Sequence, residues 1–167
     1  MQAKSLLAGL VLYTLFASGA YAQQDILTEI RKDLFYSDFN LEKSEAFYDR
    51  IVASKLNTAT IVAYKAAAKA LVAKYAWNPA TKIAALRCAE RSLAEAVRID
   101  ASNLEVRFLR FYIEKSIPSY LGYSKNLDED LTILSQNLHL LKDLEIDAGI
   151  ADYIFGYIAE MAAHVSP

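Results

Sequence analysis

Arg107 and Arg110 lie three residues apart and Glu114 follows Arg110 by four, so all three share one face of a helix. Two guanidinium forks can grip a carboxylate or phosphate in bidentate fashion. Tyr120 and Tyr123, in a segment that also holds Pro118 and Gly122, can fold back beside them and set aromatic rings next to planar cations. These five residues form the candidate binding site, suited to an acidic peptide or a carboxylate. The same stripe also has a structural reading, in which the arginines pair internally along the edge of a buried helix. Both readings remain open from the sequence.

Asp128, Glu129 and Asp130 are the other charged cluster. A calcium loop would need glycine and ligands alternating over about twelve positions. These three fall instead in the first turn of a helix, where negative charge favours the macrodipole. Asn126 with Glu129, and Ser102 with Glu105, have the spacing of capping boxes. His139 and His164 stand in different helices with no companion ligands, so no metal and no cofactor is expected. No nucleophile elbow, phosphate loop or dinucleotide fingerprint occurs; no catalytic residue is assigned, and the expected role is non-enzymatic. A net charge of -2 provides no electrostatic footprint for nucleic acid. Cys88, the one cysteine, lies among Ala84, Ala85 and Ala89 and is expected to be a buried, inert thiol.

The elements that must position these residues are helices. In 167 residues there are 5 glycines and 3 prolines, too few for the turns of an all-β chain, while 54% apolar residues suffice for one sizeable core. Helices are predicted over 24–35 and 40–54, as an N-terminal hairpin. From Thr58, the residues Ile61, Tyr64, Ala68, Leu71 and Tyr75 step by three and four, the clearest periodicity in the chain. Asn78 and Pro79 then cap and open a helix to Ile99, with a small-residue stripe at Ala85, Ala89, Ser92 and Ala96. A helix over 103–115 is apolar on nearly every side except the Arg107, Arg110 and Glu114 stripe, which marks it as central. After a loop over 116–125, leucines at 127, 131, 134, 138 and 141 predict one further helix. The last, over 143–164, carries two adjacent apolar stripes: Ile146, Ile150, Tyr153, Tyr157 and Met161 on one side, Leu144, Ala148, Ala151, Phe155, Ile158 and Ala162 on the other. The expected fold is all-α, about seven helices in antiparallel hairpins.

The N-terminus reads as a targeting segment. Lys4, the uncharged stretch from Leu6 to Phe16 and the Ala20-Tyr21-Ala22 cleavage pattern describe a secretory signal peptide over 1–22. The remaining 23–167 are expected to form a single exported domain, periplasmic or secreted, with no stable membrane insertion after cleavage.

Small residues seven apart at Ala89 and Ala96, followed by Asp100-Ala101-Ser102-Asn103 and a new helix, give the hairpin from Thr58 to Ile99 a resemblance to the tetratricopeptide repeat. Ala63 to Ala67, Trp77-Asn78-Pro79, the run from Asn103 to Arg110 and the run from Pro118 to Tyr123 make the chain similar to small, exported tetratricopeptide-like helical proteins of Gram-negative bacteria. That resemblance implies a fold and a compartment, and no activity. The leading expectation is a module that binds a protein or peptide in the cell envelope through a groove between hairpins. The alternatives are a small-ligand binder or hydrolase of the envelope using Arg107, Arg110 and the Tyr120 to Tyr123 segment, or a self-associating subunit that forms a homodimer through its last helix.

Overall fold

The computed structural model describes residues 24–142, 144 and 146–165; the signal peptide read over 1–22 and the cleavage point before Gln23 lie outside them. Among the described residues the protein is an all-α helical array. Its helices are α1 (24–36), α2 (Leu41–Ala53), α3 (Ala59–Tyr75), α4 (Pro79–Ile99), α5 (Leu104–Ser116), α6 (Leu127–Gln136), α7 (Leu138–Leu141) and α8 (Ala148–Val165), with one 3-10 turn at Ser119–Leu121.

Side-chain caps set several of these boundaries. Asn40 Oδ1 accepts from the Lys43 amide at 2.9 Å, Thr58 Oγ1 from Ile61 at 3.3 Å, and Asn78 Oδ1 from Ala80 at 2.8 Å with Pro79 behind it. The cap of α5 falls one residue later than its expected capping box: Asn103 Oδ1 accepts from the Val106 amide at 3.1 Å, while the Ser102 hydroxyl donates to Asp100. Asn126 places no side-chain cap on α6. Both predicted capping boxes fail for one reason: Glu105 and Glu129 bond to arginines, which bind a carboxylate more strongly than a neutral backbone amide does.

The expected single helix ending at Leu141 is two. Asn137 donates from Nδ2 to the Ile133 carbonyl at 2.8 Å, a side-chain bond that competes with the helix, and the chain breaks there into α6 and α7. The last helix starts at Ala148 rather than near 143, because Asp147 Oδ1 accepts from the Gly149 amide at 3.0 Å and acts as its cap. The helix count therefore rises from about seven to eight among the described residues.

Two helices organise the core. α3 touches α2, α4 and α5 and is buried almost all round; its Ile61 to Tyr75 stripe is only one of several faces in use. Alanines make this possible: Ala66 and Ala67 of α3 meet Ala89 and Leu93 of α4, and Ala73 meets Ala85 and Leu86, so the two backbones approach closely. α5 joins the clusters, sending Val106 and Leu109 towards α2 and α3, Phe108 and Phe111 towards α6 to α8, and Ile113 towards α4. In α8 the buried seam is Ile150, Ile154 and Ile158, which runs between the two predicted stripes. Cys88 is half-buried and unpaired rather than enclosed.

After α5 the chain turns through Ser119–Leu121 and leaves it at Gly122, whose φ of 73° lies in the left-handed region. No neighbouring atom lies within 4 Å of where a Cβ would stand, so Gly122→Ala tests backbone strain alone. It is expected to cost about 1 kcal/mol in chemical denaturation.

Candidate functional site

The arginine stripe of α5 faces the start of α6. Arg110 grips Asp130 with a two-pronged fork, Nε to Oδ2 at 2.6 Å and Nη2 to Oδ1 at 2.7 Å. Arg107 Nη1 donates to the same Oδ1 at 3.0 Å and to Glu129 Oε1 at 2.6 Å, and its Nε donates to the Ala101 carbonyl at 2.9 Å. Arg110 Nη2 also reaches Glu129 Oε2 at 3.2 Å. Both arginines are buried, and Asp130 has no exposed surface. The acidic ligand expected at this pair is thus supplied by the chain's own α6: Asp128, Glu129 and Asp130 lie in its first turn as expected, and Glu129 and Asp130 are structural anions as well.

Glu114, buried beside them, does not close the i, i+4 pair with Arg110. Its Oε2 accepts the Asn126 amide at 2.8 Å and its Oε1 accepts Asn126 Nδ2 at 2.6 Å, so it holds the entry to α6 from the opposite helix. Tyr120 and Tyr123 part company. Tyr120 points into solvent at 85% exposure, while half-buried Tyr123 packs with Leu86 and Ile117. The cation–π pairs among the described residues involve other side chains, so the arrangement of tyrosines beside Arg107 and Arg110 is not formed.

Charge follows this geometry. Burial works against the Arg110 cation, but its hydrogen bond to Asp130 and the charges of Asp130 and Glu129 outweigh it and raise its pKa. The hydrogen bond from Arg107, with the charges of both arginines, holds Glu129 below its ordinary 4.5. A carboxylate with a depressed folded-state pKa contributes stability that is present above its unfolded value and lost as pH falls through the folded one. Melting temperature is therefore expected to drop as pH falls below about 4.5, and Glu129→Gln should flatten that drop.

A second buried ion pair lies beneath α1 and was not anticipated. Arg31 donates to Glu105 from Nε at 2.8 Å and Nη2 at 2.7 Å, and the Tyr64 hydroxyl donates to the same Glu105 Oε1 at 2.8 Å. Above it opens a groove of about 480 Å³, edged by Leu27, Leu104, Leu140, Leu144 and Ile146. That volume suits a small molecule. Its charged floor is already satisfied from within, however, and among the described residues no buried side-chain nitrogen or oxygen lacks a partner. One sequence signal pointed here: Arg31 sits four residues after Leu27 and beside Ile30, in the apolar phase of α1.

The aromatic residues of α5 and α8 meet on the opposite side of Phe108. Tyr112 and Tyr157 lie with ring centroids 5.2 Å apart, Tyr153 and Tyr157 stack at 6.1 Å, and Phe35 of α1 abuts Tyr153 at 5.7 Å. Phe108 and Phe111 support the rings from below. Tyr112 and Tyr153 remain 37% and 43% exposed, which leaves a rigid tyrosine face at the surface. Burial, then a hydrogen bond with Tyr112, raises the Tyr153 pKa, and burial raises that of Tyr157, so these two stay neutral phenols at physiological pH.

The chain matches no family model, no curated protein and no solved structure. No group of three or more potential metal ligands occurs among the described residues.

Proposed function

We propose that the chain is an exported, non-enzymatic helical-hairpin module, tetratricopeptide-like in its stacking, that binds a protein or peptide partner in the cell envelope. The observation that carries this reading is the tyrosine face of Tyr112, Tyr153 and Tyr157. Tyrosines of this kind offer large apolar area with a polar tip, lose little entropy on binding when already packed, and are enriched at the energetic centres of interfaces. Exposed Asp152 and Glu160 flank the rings along α8, which favours a partner segment with arginine or lysine among apolar side chains. Export rests on the signal-peptide pattern over 1–22, and the stacking on α3 touching both its hairpin partner α4 and the next outgoing helix α5.

The test is site-specific photocrosslinking in intact cells. A crosslinker at Tyr153 is expected to give one discrete protein adduct that a crosslinker at exposed Val52 of α2 does not give. Tyr112→Ala in the same chain should weaken that adduct, by about 2 kcal/mol in binding measured with the identified partner. An adduct of twice the chain's own mass would replace the partner reading with the homodimer through α8, and no adduct at Tyr153 would refute both.

A further inference from the structure

The loop that joins α3 to α4 and the loop after α5 emerge at the same end of the array. Ile117 and Tyr123 from the second loop share one apolar cluster with Val72, Ala73, Ala85 and Leu86, the residues that flank the first. Each loop presents an aromatic ring to solvent: Trp77 is 85% exposed, and Tyr120 matches it, with Leu121 beside it also exposed. Neither loop is loose. Asn78 and Pro79 fix the first as the start of α4, and in the second the Ser124 hydroxyl bonds the Glu114 carbonyl at 2.9 Å. Trp77, Tyr120 and Leu121 thus leave aromatic and apolar surface in water at one end of the array, on a fixed base.

Charge selects what that is. Segments 74–82 and 115–125 contain Lys74, Lys82, Lys115 and Lys125 and no aspartate or glutamate, in a chain whose net charge is -2. Lys125 pairs with Glu90 at 2.6 Å, whereas Lys74, Lys82 and Lys115 make no ion pair among the described residues, Lys82 Nζ donating instead to the Lys74 carbonyl at 3.2 Å. The α1 to α2 turn, which reaches this cluster through Leu41, adds Asp38 and Glu42 together with Lys43, and α6 opens three residues past Lys125 with exposed Asp128, so the positive excess is confined to the two aromatic loops themselves. Tryptophan and tyrosine settle at the headgroup level of a bilayer, and lysines around them are drawn to its anionic lipids. No helix among the described residues is long and apolar enough to cross a membrane, so contact would be at the surface.

We propose that this end of the protein, led by Trp77 and Tyr120, docks on the surface of a bilayer that contains anionic phospholipid. The site is separate from the tyrosine face and does not depend on its partner. Trp77 is the one tryptophan of the chain, which makes its fluorescence a reporter of this loop alone. Adding vesicles of equal parts phosphatidylcholine and phosphatidylglycerol should shift its emission to the blue, salt should reverse the shift, and brominated lipid should quench it. In sedimentation with the same vesicles, a Trp77→Ala, Tyr120→Ala chain should lose about ten-fold in bound fraction, and so should a chain with Lys74 and Lys115 changed to Gln. Circular dichroism should show both variants folded, since Trp77, Tyr120, Lys74 and Lys115 are all exposed. An unchanged spectrum with no sedimentation overturns the proposal. So does equal binding to pure phosphatidylcholine, or a blue shift that grows with protein concentration in the absence of lipid.

Discussion

Replacing Asp130 by alanine is expected to destabilise the fold by about 3–5 kcal/mol, a large part of the roughly 5–15 kcal/mol available to a domain of this kind. The carboxylate receives three hydrogen bonds from Arg107 and Arg110 and has no exposed surface. Removing it leaves two buried cations with Glu129, half of whose side chain is in water, as their remaining ion-pair partner, and with the more distant charge of Glu114, which is already bonded to Asn126. Desolvation already paid by the guanidiniums is then not repaid. Asp130→Asn should sit between the two, since it preserves shape and one acceptor but loses the charge. A chain with Arg107→Met, Arg110→Leu and Asp130→Leu should recover much of the loss, because an apolar triad of similar volume carries no desolvation penalty. Urea denaturation of the four chains measures this directly. If Asp130→Ala melted like the parent, the ion-pair core between α5 and α6 would not exist in solution.

That core shows what the sequence could and could not disclose. The helices were legible because caps and periodicity are local: Asn40, Thr58 and Asn78 stand where α2, α3 and α4 begin. The central place of α5 was legible too, from apolar residues on nearly all its sides. Its charged stripe was visible as a stripe, but the partner was not, since Asp130 lies 20 residues on and its pairing depends on how α6 folds back. A run of three acids at a helix start has an ordinary dipole explanation, which holds for all three in the first turn of α6, but two of them, Glu129 and Asp130, also pair with the arginines of α5. Capping boxes failed at Glu105 and Glu129 because a tertiary arginine outcompetes a local amide. The tyrosine face escaped notice for a related reason. Helical spacing put Tyr153 and Tyr157 on an apolar stripe, whereas Phe35 of α1 abuts Tyr153 without covering it, and Tyr112 and Tyr153 stay at the surface.

Glu105→Ala should produce a loss of similar size, about 3–5 kcal/mol, but with a different distribution along the chain. Glu105 is the common acceptor for Arg31 of α1 and Tyr64 of α3, so its removal strands a buried guanidinium and a phenol in the packed centre of the molecule at once. The two respond unequally. Tyr64 has no exposed surface and is fixed by α3, which the rest of the array surrounds. Arg31 belongs to α1, at the edge of the fold, and can reach water if that helix lifts away. Undocking α1 rehydrates the charge at the cost of the contacts of Ile30, Leu34 and Phe35, so local opening becomes the cheaper route. Hydrogen exchange should then show amides of residues 24–36 losing protection well before those of α3 and α4, whereas Asp130→Ala should release α6 first. Lifting α1 also removes Phe35 from Tyr153, so the tyrosine face would lose one of its supports, and binding at that face should weaken in Glu105→Ala even under conditions where α3 to α5 stay folded. Uniform loss of protection along the chain would show instead that α1 is an inseparable part of one cooperative unit, and that the Arg31 and Glu105 pair does not act as its latch.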